Sequence, residues 1–228
     1  MNSQKLSPPH PPGDHAARKP RADGVETRKA ILLAAANLAT TRGLDVLSIG
    51  ELAEHIGMSK SGLYAHFKSK EELELATIET AAEIFAHDVI EPVSESLQGV
   101  ARLTALAESF LQHLHKRVFP GGCFFAAVSA QLAAQPSRAR DRVLQIQRHW
   151  AGKIAEALHQ ARDAGEIRRD ADIDQLIFEI SAMLLRANLD WVVTDDRRVL
   201  EQARTGVQHV LERVADQTKR NRKSQRRA

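Results

Sequence analysis

The feature that most constrains this chain is the spacing of its apolar residues. From about Val25 onward they recur three and four positions apart in block after block. That is the period of an α-helix, not the alternation of a half-buried strand. Ile31, Ala35 and Leu38 form the first stripe, and Gly43 after Arg42 stops it. Ser48 opens a second helix with Glu51 three residues on, the pattern of a capping box. Leu52, Ala53 and Ile56 form its inner face, and Gly57 ends it. A short third helix is expected over Lys60–Ala65. Ser69 with Glu72 repeats the capping box and opens a fourth helix, which runs toward Ile90 until Glu91-Pro92 breaks it.

The remainder follows the same rule. Leu97, Val100, Leu103, Phe110, Leu114 and Val118 mark a fifth helix, and Phe119-Pro120-Gly121-Gly122 is a turn. A sixth covers Cys123–Ala134 and stops before Pro136. A seventh spans Ser137–Ala164, with Val143, Ile146, Trp150, Ile154 and Leu158 on one side, and Gly165 closes it. In the eighth, Asp172–Val193, the residues Ile173, Leu176, Ile177, Ile180, Met183, Leu184, Leu185, Ala187 and Trp191 cannot share one face. A helix apolar around most of its circumference is buried on two sides. The ninth, Arg197–Ala215, carries Leu200, Val207, Val210, Leu211 and Val214. No segment reads as a strand, so the expected fold class is all-α with about nine helices.

Composition agrees. Hydrophobic residues make up 43% of the 228 but aromatics only 4%, so the core is built from Leu, Ile, Val and Ala, which favours helix packing over a sandwich. The net charge of +3 is unevenly placed: the last ten residues, Lys219–Ala228, hold six basic side chains and no acid. Bulk basicity therefore carries no argument for nucleic acid; the placement of charge must. The single cysteine, Cys123, excludes an internal disulfide and a cysteine-based zinc site, and suits a reducing, cytoplasmic setting. No apolar run reaches the length of a signal peptide core or a membrane span. Residues 1–24, with "SPPHPPGD" at Ser7–Asp14, read as a disordered arm, and 219–228 as a basic tail. No Ser-His-Asp set, glycine-rich phosphate loop or HExxH pattern is present, so an enzyme, a cofactor and a metal are not expected. His113 and His115, two apart on a helix, point to different faces and cannot chelate together.

The informative stretch is Ser48–Leu73. Two short helices flank a tight turn in which Gly57 can adopt positive φ without steric penalty. Ala53 is small where the helices cross, and Leu52, Ile56, Met58 and Leu63 lock them together. Ser59, Lys60, Ser61, Gly62, Tyr64 and His66 remain on the outer face of the second, small or polar as phosphates and base edges require. From His55 to Lys70 there are three lysines (Lys60, Lys68 and Lys70) and no acid, while the flanking helices carry Glu51, Glu54, Glu71, Glu72 and Glu74.

This stretch, "GMSKSGLYAHFKSKEEL" at Gly57–Leu73, resembles the signature turn and recognition helix of the TetR family of regulators. "ETRKAILLAAANLATTRG" at Glu26–Gly43 is similar to that family's first helix. "GGCFFAAVSAQLAAQPSRARDRV" at Gly121–Val143 is similar to a segment of one of its subgroups. The resemblance implies a three-helix, helix-turn-helix DNA-binding domain over 25–85, joined to a larger helical effector-binding and dimerisation domain over 86–218. It implies that Ser59, Lys60, Ser61 and Gly62 enter the major groove. Tyr64, His66 and Lys70 would contact phosphates, and Ser48 with Ile49 would sit against the backbone at a helix N-terminus. It further implies a homodimer through the last two helices, which the two-sided apolarity of the eighth supports independently.

An effector pocket is expected between helices four and eight, with Phe110, Leu114, Cys123, Trp150, Met183, Asn188 and Trp191 as its candidates. Few charges fall on the inner faces, which favours an apolar or aromatic small molecule. Arg186 is the exception, set either to pair with Asp190 or Asp174 or to hold an anion. Cys123 admits two readings: a thiol whose pKa a helix N-terminus lowers for sensing, or a small buried apolar residue. The function implied is a repressor that a small molecule releases from palindromic double-stranded DNA; the alternative is an effector-independent or thiol-sensing regulator.

Overall fold

A computed structural model describes residues 20–133 and 136–216. Most of the expected arm and the whole basic tail lie outside the described residues, which contain nine α-helices and no strand. Helix α1 spans Pro20–Arg42, α2 Ile49–His55, α3 Lys60–His66 and α4 Lys70–Phe85. Helix α5 spans Gly99–His115, α6 Phe124–Leu132, α7 Arg138–Asp163, α8 Ile173–Thr194 and α9 Arg198–Val214.

Local signals set most ends. Ser48, Ser59, Ser69, Ser137 and Asp172 each accept a backbone N–H from three residues on, which satisfies a donor the helix leaves free. Gly43, Gly57 and Gly165 adopt positive φ where the sequence places stops. Some features differ from expectation. Helix α1 begins at Pro20, not near Val25, so the first helix takes in residues 20–24. Helix α5 ends at His115, short of Val118, since Arg117 turns to φ 49°. Cys123 is the N-cap of α6, not its first residue. The expected helical run does reach Ile90, but beyond α4 its last five residues, Ala86–Ile90, are wound as a π-helix, with Glu91 N–H donating to the Ala86 carbonyl at 2.9 Å. The side chain of Ser109 donates to the Asp88 carbonyl within that turn at 3.0 Å.

One continuous core runs from Ile31 to Val214. Helix α4 lies at its centre, packed against α1 on one side and α7 on the other. At its start it buries Leu73, and at its end Phe85. The α5–α6 turn also seats directly on α1: a Cβ at Gly121 would stand 2.0 Å from the Thr40 carbonyl oxygen, so only glycine fits there. Beyond α7, Arg168 N–H donates to the Val214 carbonyl at 2.8 Å, tying the α7–α8 turn to the end of α9.

Helix α8 has the two apolar faces expected of it. Leu176, Ile180, Leu184, Ala187 and Trp191 are buried. Phe178, Leu185, Leu189 and Val193 are exposed at 69%, 46%, 51% and 83%, spaced seven, four and four residues apart along one side.

Candidate functional site

Two features stand out, a helix-turn-helix head and an apolar cavity, and α4 reaches both. In the head, Ser48 Oγ accepts the Glu51 N–H at 3.1 Å while Glu51 returns a carboxylate oxygen to the Ser48 N–H at 3.2 Å. The turn is closed by Met58 N–H donating to the Ala53 carbonyl at 2.9 Å. Leu52, Ala53, Leu63 and Phe67 are buried beneath it. Ser59, Lys60, Ser61 and Tyr64 lie exposed on α3, and Gly62 and His66 are half-buried. The helix thus presents small and hydrogen-bonding groups outward, Tyr64 foremost at 56% exposure.

Several DNA-contact candidates already have internal partners. Ser59 Oγ caps Gly62 N–H at 3.0 Å and meets Ser61 Oγ at 3.2 Å. The Lys60 side chain lies back over Gly50 of α2, where an added Cβ would be 3.2 Å from Cε. Lys70 Nζ donates to the Asp45 carbonyl and pairs with Glu74 at 3.6 Å. The Ile49 side chain is buried, so only its main chain can face a phosphate; the apolar side chain gains more by packing beneath α2 than by lying on the surface.

Sequence reasoning missed Arg28. Its guanidinium donates to the His66 carbonyl at the end of α3, lies 4.2 Å over the Phe67 ring and stands 3.8 Å from Glu72. Glu72 in turn accepts the Lys68 N–H at 2.9 Å. Helix α3 is therefore held at its C-terminal end by a side chain from α1. The signal was present: Arg28, Ile31, Ala35 and Leu38 share one helical face.

The cavity holds about 300 Å³. Phe85 of α4, Phe110 of α5 and Cys123, Phe125 and Ala126 around the start of α6 form one part of its wall. Ile146, Gln147, Trp150 and Ala151 of α7 and Ser181, Leu184 and Leu185 of α8 complete it. Phe85 is the hub of the aromatic set, edge-on to Trp150 at 5.4 Å, to Phe125 at 5.9 Å and to Phe110 at 6.3 Å. Phe110, Cys123 and Trp150 were expected in this wall.

Four other candidates are not there, and each has a structural use instead. Asn188 Oδ1 accepts the Cys123 N–H at 2.7 Å, capping α6 from α8. The Trp191 indole N–H donates to the Leu114 carbonyl at 2.8 Å, and Leu114 is itself core. Met183 lies toward α9, its sulfur filling the space above Gly206. Phe85, Phe125 and Gln147, which the sequence did not single out, take their place. Arg186 pairs with Asp190 at 2.7 Å and is exposed.

Cys123 is buried, and burial pushes its thiol above the ordinary range despite backbone N–H groups of α6 that favour the thiolate. Desolvation outweighs the helix terminus here, which favours the reading of Cys123 as a small buried apolar residue. Behind Phe85, His113 is buried with Nδ1 3.2 Å from Asp88 of the π-turn. Burial holds the imidazole below its usual range, more than the carboxylate raises it. The Asp88 carboxylate stays below its own ordinary range: burial raises it, but hydrogen bonds from His87 and His113 outweigh that. Among the described residues, no three His, Cys, Asp or Glu side chains form a metal site, and no helix is long and apolar enough to cross a membrane.

Residues 31–77 match the family model described as bacterial regulatory proteins, tetR family, and residues 99–207 match the tetracyclin repressor-like C-terminal domain. The HTH-type transcriptional repressor KstR2 of Mycobacterium tuberculosis is 28% identical over 159 residues, 67% of this chain and 76% of its own. A TetR transcriptional regulator from Chloroflexus aurantiacus superposes with a TM-score of 0.74 at 26% identity, covering 83% of this chain and 94% of the other. AibR, solved in complex with isovaleryl coenzyme A and operator DNA, gives a TM-score of 0.65 at 26% identity, covering 78% and 94%.

Proposed function

The chain belongs to the TetR family of transcriptional regulators, and from that premise we propose that it is a dimeric repressor released from its operator when a small molecule fills the cavity. The observation that carries this reading is Phe85. It is the last α-helical residue of α4, the same helix that buries Leu73 under the head, and it forms part of the cavity wall. A ligand that displaces this ring acts on the helix that follows α3 directly and whose Lys70 and Glu72 bond the Asp45 carbonyl and the Lys68 N–H of the head.

The second hold on the head supports the same reading. Gln131 of α6 accepts the Leu44 N–H at 3.1 Å, and Phe125 and Ala126 of that short helix are cavity wall. The ion pair Arg142–Glu79, with a second contact at 2.7 Å, joins α7 to α4. Cavity occupancy therefore bears on the head through α4, α6 and α7 at once. An effector shifts the population only by as much as it prefers the conformer with the wrong head spacing.

Dimerisation would use the outward face of α8, where Phe178, Leu185, Leu189 and Val193 lie exposed, together with α9. Four large apolar side chains in one row are more than a monomer ordinarily leaves in water. A twofold dimer would set two α3 helices in successive major grooves, about 34 Å apart, on palindromic double-stranded DNA. On that DNA, Ser59, Lys60, Ser61 and Gly62 would face the groove and Tyr64 and His66 the phosphates. Lys70, and the main chain at Ser48–Ile49, would add backbone contacts. AibR was solved with both a thioester ligand and operator DNA, which supports a two-ligand cycle here. The test is fluorescence anisotropy on the promoter DNA beside the gene. Binding by the wild type and its loss in Tyr64→Ala are expected; retained binding in that variant would remove α3 from the interface.

A further inference from the structure

Resting on the reading of the cavity as the effector site, we infer that its ligand is an uncharged, ring-shaped molecule with a single hydroxyl or similar polar group, and not an anion, a cation or a coenzyme A thioester. The wall decides this. Its aromatic residues, Phe85, Phe110, Phe125 and Trp150, surround the space, and it contains no lysine, arginine, histidine or carboxylate. Its hydrogen-bonding side chains are Gln147, Ser181 and Trp150, the last through its indole N–H, besides the buried, protonated thiol of Cys123.

The charged groups nearby are already matched. Arg142, one turn before Ile146 on α7, is committed to Glu79 and Gln145. Asp88 faces His113, and the Phe85 ring stands at 6.0 Å from that imidazole, on the cavity side. Arg186 is engaged by Asp190. A carboxylate or phosphate seated against these rings would give up part of its water and meet no cation; an ammonium would meet ring faces but no carboxylate. Burying an unpaired charge is strongly unfavourable. Ring edges and faces, by contrast, suit another ring.

The polar end of the ligand is specified too. Gln147 commits one amide N–H to Ser129 Oγ at 2.7 Å, which leaves its second N–H as a donor and its carbonyl Oε1 as an acceptor. A hydroxyl on the ligand, donor and acceptor at once, can satisfy either. At about 300 Å³ the space is at the small end of the range for ligand sites, room for two or three fused rings.

The test compares three probes on one skeleton by titration calorimetry with the full chain: 2-naphthol, 2-naphthoate and 2-naphthyltrimethylammonium. Binding of 2-naphthol is expected, with both charged probes at least tenfold weaker and isovaleryl coenzyme A weaker still. Gln147→Leu, which keeps the shape of the wall, is expected to weaken 2-naphthol about tenfold with an unchanged melting temperature. A charged probe binding as tightly as 2-naphthol overturns the inference, as does the absence of any 2-naphthol binding. If 2-naphthol binds but leaves the operator complex intact, the ligand class stands and the effector-release reading fails, so the two are separated.

Discussion

Replacing Phe85 by alanine tests the link between cavity and head. The ring is 6% exposed and touches four other aromatic rings, Phe110, His113, Phe125 and Trp150. Truncating a core Phe to Ala costs about 3–5 kcal/mol. One side of Phe85 already faces the cavity, so fewer packing contacts are lost, and the lower figure of about 3 kcal/mol applies. Each kcal/mol moves the unfolding midpoint of a chain this size by about 2–4 °C, which gives a drop of about 6–12 °C. Against an ordinary stability of about 5–15 kcal/mol the variant stays folded at 25 °C. Thermal unfolding followed by circular dichroism measures the first effect. Operator anisotropy with and without 2-naphthol measures the second: Phe85→Ala should keep operator binding within a few-fold yet lose most of the ligand-driven release, because the enlarged cavity no longer pushes on α4. Phe85→Leu should recover most of the stability. A midpoint shift below 2 °C, or full ligand-driven release in Phe85→Ala, would refute the reasoning.

Arg28→Ala removes one charge-assisted hydrogen bond to the end of α3 and a cation–π contact, both partly exposed, so about 1–2 kcal/mol of stability should go; denaturant unfolding measures it, and operator affinity should fall although Arg28 need not touch DNA. His113 is neutral and buried, with a folded-state pKa below its ordinary 6.5. Its contribution is therefore complete above pH 6.5 and is lost as the pH falls below that value toward the depressed folded-state pKa; melting temperatures from pH 8 to 5 should decline, and His113→Gln should flatten the decline. Cys123 should resist iodoacetamide at neutral pH in the folded protein and react after unfolding, as its burial and raised pKa require.

How far the sequence could be read followed the range of the interactions. Caps and stops are local: Ser48 with Glu51, Ser69 with Glu72, and glycines 43, 57 and 165 are set by neighbours within a few residues, and they fixed the helices and the head. The apolar stripes of α8 were equally legible; one is buried in the core and the other lies exposed. The cavity wall was not, because it depends on which helices meet. Asn188 and Trp191 sit in the middle of an apolar helix and look available, yet their polar atoms are used to satisfy the main chain at Cys123 and Leu114. Nothing in the sequence singled out Phe85 at the end of α4; its place beside Trp150 and Phe125 does. For Cys123 a local argument, the helix terminus, pointed one way and a tertiary one, burial, prevailed. Arg28 lay in plain view on the inner face of α1 but had no visible partner until α3 was placed against it.

The most direct test of the central claim is selection of bound sequences from a random double-stranded DNA pool with the purified protein. A palindromic site should be enriched, its half-sites about one helical turn apart, and Tyr64→Ala should enrich nothing above background while melting like the wild type. No enriched sequence with the wild type, or the same palindrome with Tyr64→Ala, would contradict the assignment of the helix-turn-helix within Ser48–Leu73 as the DNA-reading head.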